Sequence, residues 1–288
     1  MTKIPAKKSL GQNFLKDENV LKKIANTIET NENDIIIEIG PGKGALTKYL
    51  VQKKGKLICY EIDERMKDIL QKYENENTKV IFQDFLQRNI KEDLPASYEN
   101  IYIIANIPYY ITTPIIEHII KCDIKEKAMT LLVQKEVGYR FSAQPKSKDY
   151  GYFTVLLNHY YEVNYLFDVS RKSFDPSPNV DSAVITFERK ENSIDLDMPR
   201  FQKFLKQCFL QKRKKLKNNL PKESWPLLLE ILKINGYDEN VRAEDIPYEM
   251  FVELFKGLCQ IFRPLFGRVS ELEMDFSKLS GDKYPIEE

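Results

Sequence analysis

Between residues 34 and 52 an apolar strand runs straight into a glycine turn and then a helix. The pieces are Asp34-Ile35-Ile36-Ile37-Glu38-Ile39, Gly40-Pro41-Gly42-Lys43-Gly44, and Ala45-Leu46-Thr47 through Gln52. Strand, glycine turn and helix in that order form the first half of a Rossmann-type unit. Glycines let backbone approach a ligand closely, and a helix N-terminus favours a negative group. A second strand, Lys56 to Tyr60, ends in Glu61. That acid lies about 20 residues past the turn, where such folds hold ribose hydroxyls. Its plainer alternative is a cap or a solvated loop acid.

The pattern repeats down the chain. Val80-Ile81-Phe82 reads as a strand that ends at Gln83-Asp84-Phe85, and Ile101 to Ala105 as a buried strand that ends at Asn106-Ile107-Pro108-Tyr109-Tyr110. Ligands of open α/β sheets bind at the carboxyl ends of strands, so four strand ends should converge on one crevice. Pro108 stops the fourth strand because it has no N–H to give to a ladder. Asn106 does not titrate and cannot act as a base. Its amide oxygen and the Ile107 carbonyl, beside the Tyr109 ring, can hold an exocyclic amine in one plane. The stretch is equally readable as a strand end with core tyrosines, and Asp84 as a turn residue.

Further on, the spacing predicts helices over 112–121, with Pro114 in the first turn, 134–141 and 153–158, and a strand over 128–133. Strands over 159–169 and 182–188 would form an antiparallel pair at one end of the sheet. They are joined by a stiff loop containing Phe174-Asp175-Pro176-Ser177-Pro178. Phe174 is there either a core plug or a stacking platform. At the N-terminus Lys3, Lys7 and Lys8 precede Gly11-Gln12-Asn13-Phe14-Leu15 and a helix over 17–30 capped by Asp17. This arm is either solvated or laid over a nucleic-acid backbone.

A domain boundary is expected near residue 192, followed by a small all-α domain. Trp225–Leu232 and Pro247–Leu258 read as helices, with Trp225 in the core. Between Phe201 and Lys222 stand basic residues at 203, 206, 212, 213, 214, 215, 217 and 222, with no acid among them. In a chain of net charge +1 such a basic helix is a local footprint for a phosphate backbone. Arg242-Ala243-Glu244 reads as a structural ion pair or cap. The 288 residues are 42% hydrophobic and 30% charged, enough for a full core in a soluble protein, with no run approaching a membrane span. Four dispersed cysteines and only two histidines, His118 and His159, argue against zinc, a disulfide framework or a Ser-His triad. A cytoplasmic monomer without metal is the expectation.

Taken together, Gln12-Asn13-Phe14-Leu15, Glu38 to Gly44, Glu61, Asp84, Asn106 to Tyr110, Gln134-Lys135-Glu136 and Phe174 to Pro178 resemble, in order, the KsgA/RsmA family of small-subunit ribosomal RNA adenine dimethyltransferases. The resemblance spans about residues 7–260. It implies an α/β fold, a class I Rossmann-like S-adenosylmethionine methyltransferase sheet over residues 1–191, an all-α RNA-binding domain over 192–269 and a tail over 270–288. It implies S-adenosylmethionine held by Gln12, Asn13, Leu15, Gly40, Gly42, Gly44, Glu61, Ile62, Asp84, Phe85 and Asn106. Asn106 and Ile107, followed by Pro108, would grip the target N6 amine, with Tyr109 and Phe174 sandwiching the base. Lys7, Lys8, Lys212, Arg213, Lys214, Lys215 and Lys217 would contact RNA. The partner implied is small-subunit rRNA or the assembling small subunit, dimethylated at two adjacent adenosines.

Two rivals share much of this pattern. An Erm-like enzyme acting on large-subunit rRNA has the same Gln-Asn-Phe and Asn-Ile-Pro-Tyr. Gly11, Asp181-Ser182-Ala183-Val184 and Arg242-Ala243-Glu244 favour the small-subunit reading. A non-catalytic assembly factor on the same scaffold would not need both the glycine turn and Asn106-Ile107-Pro108-Tyr109 intact.

Overall fold

The computed structural model describes residues 4–191 and 194–265, leaving out the side chains of residues 8 and 260–265. The expected junction at 192 and the tail over 270–288 lie outside the described residues. The chain divides into two compact units, Met1–Met198 and Pro199–Glu288.

The first unit opens with β1 (Phe14–Leu15) and α1 (Glu18–Ala25). The expected cap is present: Asp17 accepts from the Asn19 and Val20 N–H groups. The helix stops well short of residue 30. The Thr27 hydroxyl bonds the Ile24 carbonyl at 2.8 Å and meets the Thr130 hydroxyl at 2.7 Å, the side-chain competition that ends helices at such residues. There follow β2 (Ile35–Ile39), α2 (Thr47–Leu50), β3 (Lys56–Glu61), α3 (Lys67–Leu70), β4 (Thr78–Phe82), β5 (Ile101–Asn106), α4 (Thr112–Cys122), β6 (Ala128–Gln134), α5 (Lys135–Phe141), α6 (Tyr152–Tyr160), β7 (Tyr161–Val169), β8 (Phe174–Asp175) and β9 (Ser182–Arg189). At 4 residues, α2 is shorter than the sequence suggests, so little helix dipole stands behind the glycine turn.

Seven strands form one sheet in the order β4-β3-β2-β5-β6-β9-β7. β4 through β6 are parallel, and β9 and β7 form the expected antiparallel end. Alternating side chains enter two apolar layers. Ile35, Ile37 and Ile39 of β2 join Ile103, Ile116 and Leu157 on one face. Ile36 joins Leu57, Ile104, Leu21 and Ile24 on the other. Burial on both faces explains why β2 and β5 read as near-continuous apolar runs.

Register then builds the site. Ile39 lies opposite both Tyr60 and Ala105, so Gly40, Glu61 and Asn106 leave the sheet at the same level. The chain reverses direction across the sheet between β2 and β5, the switch point at which a crevice opens. A separate two-stranded ribbon pairs β1 with β8, Leu15 opposite Phe174. The Ser173 hydroxyl fastens it to the Asp17 carboxylate at 3.0 Å.

The second unit contains α7 (Met198–Cys208), α8 (Trp225–Ile234) and α9 (Tyr248–Leu265). Its core includes Phe201, Leu205, Leu228, Leu232 and Phe251. Trp225, expected in the core, is half-buried at the start of α8. Only the start of the basic run is α-helical: Lys203 and Lys206 stand on α7, and the stretch from Gln211 to Lys222 holds no more than a single 3₁₀ turn, Leu216–Asn218. After Cys208 the chain folds as turns around the buried Asn219, whose side-chain amide donates to the Cys208 carbonyl at 2.8 Å and accepts from the Gln211 N–H at 3.2 Å. Leu216 N–H then bonds the Val241 carbonyl at 2.8 Å, which draws the basic turn against the loop before α9. As expected, Arg242 pairs with Glu244, at 3.5 Å.

Candidate functional site

The strand ends enclose a cavity of about 330 Å³, within the range of small-molecule sites. Gly11 to Leu15, Gly40 to Lys43, Glu61, Ile62, Asp84, Phe85, Asn106 to Tyr110 and Phe174 all line it.

At the end of β2, Gly40 and Gly42 have φ of +70° and +54°, conformations that side chains rarely adopt. A Cβ at Gly42 would come within 3.0 Å of the Phe14 ring. Gly44 differs: it does not line the cavity. A Cβ there would stand 2.6 Å from the Tyr73 ring, so its φ of +73° serves the packing of the turn and not approach to a ligand.

Glu61 is buried at the end of β3, and its carboxylate accepts from the Gly42 and Asp63 N–H groups, both at 2.8 Å. Burial raises its pKa, against those two N–H bonds. Next to it Ile62 is 53% exposed and lines the cavity, an apolar surface for a flat ring. Asp84 caps the turn after β4, accepting from the Leu86 N–H at 3.0 Å and the Gln87 amide at 2.9 Å. Phe85 is buried, edge-on to Tyr60 and His118. A buried acid in hydrogen-bonded contact with a glycine turn, an exposed apolar side chain beside it and an acid on the next strand suit the ribose and adenine of S-adenosylmethionine. The donor set fits the group.

Asn106 ends β5 and lines the cavity. Among the described residues neither its side-chain amide nor the Ile107 carbonyl has a hydrogen-bond partner. Asn106 follows Ala105 at the level where Gly40 follows Ile39, and two unengaged oxygens thus belong to residues that line the cavity. Tyr109 is held by its hydroxyl, 2.7 Å from the Ser182 hydroxyl, and burial raises its pKa. Phe174 is 2% exposed and packs in the apolar layer with Leu15 and Leu21, the plug of the two alternatives, and it also lines the cavity.

The arm is more tied down than the sequence suggests. The Gln12 amide donates to Asp63 at 2.8 Å and accepts from the Lys7 N–H at 2.9 Å. The Arg65 guanidinium beside Asp63 holds that carboxyl down at about 2. Gln12 is therefore engaged through its side chain with the protein itself. Asn13 donates to the Gly11 carbonyl at 3.2 Å. Lys7 is exposed; the Lys8 side chain lies outside the described residues.

The sequence places Glu38, an acid inside the apolar run of β2, in the strand–glycine motif but assigns no role to it. It is 2% exposed, lines the cavity at the end of β2 and accepts from the Cys59 thiol at 3.5 Å. Burial pushes it up to about 7, and the charge of Glu61 adds to the push. The signal was available: a lone carboxylate in a strand covered on both faces.

In the second unit, the basic turn is partly neutralised. Lys212 lies 3.6 Å from Glu244 and Lys217 3.4 Å from Glu239. Lys215 donates to the Asn240 amide oxygen at 2.5 Å. The acids missing from the run itself arrive from the loop before α9. Arg213 and Lys214 are exposed, and their side chains have no partner among the described residues. The cysteines at 59, 122, 208 and 259 form no disulfide. No helix among the described residues is long and apolar enough to cross a membrane.

The family model described as ribosomal RNA adenine dimethylase matches residues 4–260. A ribosomal RNA small subunit methyltransferase A from Thermotoga petrophila is 41% identical over 255 residues, 88% of this chain and 92% of its own length. The protein of the same name from Mycoplasmopsis pulmonis is 43% identical over 255 residues, 88% of this chain and 99% of its own. Among solved structures, a dimethyladenosine transferase from Plasmodium falciparum superposes with a TM-score of 0.72 at 24% identity, covering 86% of this chain and 98% of that one. The 23S rRNA methyltransferase ErmE gives 0.68 at 25% identity over 86% of this chain and 100% of that one.

Proposed function

This chain belongs to the ribosomal RNA adenine dimethylase family, and we propose that it converts two adjacent adenosines near the 3′ end of small-subunit rRNA to N6,N6-dimethyladenosine during ribosome biogenesis. As a member, it is an S-adenosylmethionine-dependent methyltransferase. The observation that carries the reading is the unengaged pair at the tip of β5, the Asn106 amide oxygen and the Ile107 carbonyl.

S-adenosylmethionine supplies an already activated sulfonium methyl, so positioning and electrostatics matter more than a strong base. Glu61 would accept from the ribose hydroxyls, Ile62 would cover the cofactor's adenine ring, and Asp84 with the Phe85 backbone would take its amino group. Gly40, Gly42 and Asn13 would line the methionine end. Asn106 and Ile107 would accept from the target N6 amine and turn its lone pair out of conjugation. Tyr109 and Phe174 would bound the target base, which must leave its stack to enter. After one transfer the amine still carries one N–H, so the same two acceptors can hold it for a second.

Residues 1–191 would carry catalysis and residues 192–269 would carry phosphate contacts, led by the unpaired Arg213 and Lys214. Lys7, whose backbone N–H bonds the cavity-lining Gln12, adds an exposed cation in the arm. We assign the work to a monomer in the cytoplasm.

The test is transfer of labelled methyl from S-adenosylmethionine to separated, undermodified small and large ribosomal subunits, followed by nucleoside analysis. Dimethyladenosine in small-subunit RNA alone is expected. Label in large-subunit RNA would transfer the assignment to the Erm-like reading, and RNA binding without label to a non-catalytic factor.

A further inference from the structure

Tyr109 and Tyr110 are consecutive, yet their rings have different environments. They sit in a 3₁₀ turn, Tyr109–Ile111, which rotates successive side chains by about 120°. Tyr109 is half-buried and fixed through Ser182. Tyr110 lines the same cavity, is 64% exposed and has no hydrogen-bond partner among the described residues.

The Tyr110 ring is supported from one side. A Cβ at Gly11 would lie 3.0 Å from its Cε1 and 3.2 Å from the Pro108 Cβ. The arm therefore packs against the ring where glycine leaves room, in the positive-φ conformation, +58°, that glycine permits. The arm itself is pinned by Gln12 to Asp63 and folded back by the Leu10 N–H bond to the Lys7 carbonyl at 3.0 Å. An exposed cation, Lys7, thus belongs to the same anchored segment. Proteins that hold single-stranded nucleic acid combine an exposed aromatic ring with nearby cations in this way: the ring stacks a base and the cation meets the backbone.

We propose that Tyr110 is a second nucleobase subsite at the lip of the crevice, stacking the nucleotide that flanks the adenine held at Asn106. This rests on the reading of the crevice as an RNA adenine methyltransferase site. Holding the neighbour would fix the strand as it leaves the pocket and set which base enters. In any one turnover the ring faces the nucleotide that is not being methylated, so it acts on substrate binding and not on the transfer step.

Steady-state kinetics with undermodified small subunits test it, using Tyr110→Phe, Tyr110→Leu and Tyr110→Ala in the full chain. Base–aromatic stacking is worth about 1–3 kcal/mol, so Leu and Ala should raise KM for the subunits roughly 5- to 150-fold. The Phe variant should stay near wild type, and kcat and KM for S-adenosylmethionine should hold throughout. The Leu variant separates stacking from simple cover, because it still fills the space against Gly11. The proposal is overturned if Leu matches Phe, if subunit KM does not move in any variant, or if KM for S-adenosylmethionine rises in parallel. Failure of the underlying reading is seen separately, as absence of transfer to small subunits by the wild-type protein.

Discussion

The crevice and the basic turn were both readable as functional in the sequence, and the structure treats them differently. At the crevice each polar group follows directly from its strand. Parallel register brings Gly40, Glu61 and Asn106 level, and the Asn106 amide is left unengaged. At the basic turn, Lys212, Lys215 and Lys217 are met by Glu244, Asn240 and Glu239. A strand tip owes its surroundings to hydrogen-bond register, which neighbouring sequence specifies. A charge owes its surroundings to whatever the fold brings near it, and here that comes from a separate loop further along the chain.

The largest effect expected is at the strand tip. Asn106→Ala should lower kcat by about 100- to 1,000-fold, as removal of one preorganised polar group does elsewhere. Cofactor affinity, measured by calorimetry, should change far less. Equal losses in both would make Asn106 a cofactor ligand first and would break the contrast with Gln12, whose amide is already occupied by Asp63 and Lys7.

Glu38 tests the buried part of the crevice lining. Its carboxyl moves from 4.5 to about 7 on folding, so in that window the folded state binds more protons than the unfolded one. Stability from this group is therefore full below about 4.5, falls as pH rises towards about 7, and stays low above it. At about 1.36 kcal/mol per unit, the penalty at alkaline pH is on the order of 3 kcal/mol. Glu38→Gln should raise the denaturation midpoint at about pH 8 and leave it nearly unchanged at about pH 5, with the wild-type slope between them flattened. Parallel curves for the two proteins would show that Glu38 ionises freely when folded.

The basic turn should divide by pairing. Reversing Arg213 and Lys214 together should weaken RNA binding and reduce the salt slope by roughly 0.7–0.9 for each phosphate that is no longer neutralised. Reversing Lys212 and Lys217 should cost less, because those ammonium groups already face carboxylates. S-adenosylmethionine binding should be unaffected by either pair. Filter binding over a salt series reads both, and equal losses would mean that the acids release their lysines to RNA.

Much of the architecture is legible in the amino-acid order. The strand order of chemistry, the Asp17 cap and the antiparallel end of the sheet follow from periodicity and punctuation, which are local. Helical periodicity extends past the helices that form at α1, α2 and the basic segment, because each is ended or opened by a side chain or a turn that propensity ignores: Thr27 against Ile24, the positive-φ glycines before Thr47, and Asn219 on the Cys208 carbonyl. Phe174 is not separable in sequence because a ring can belong to the core and line a cavity at once.

Gly44 offers the smallest and most discriminating effect. The glycine pattern alone makes residues 40, 42 and 44 equivalent, but Gly44 faces Tyr73 and not the cavity. Gly44→Ala should cost about 1–2 kcal/mol of stability, the penalty for a Cβ in the left-handed region, with more if the Tyr73 ring cannot move. Cofactor affinity should follow only as far as the turn is displaced. Gly42→Ala should reverse the order, since Gly42 both lines the cavity and donates its N–H to Glu61. If both variants lose cofactor affinity equally at equal stability, the turn responds as one rigid piece, and the distinction between its ligand side and its packing side disappears.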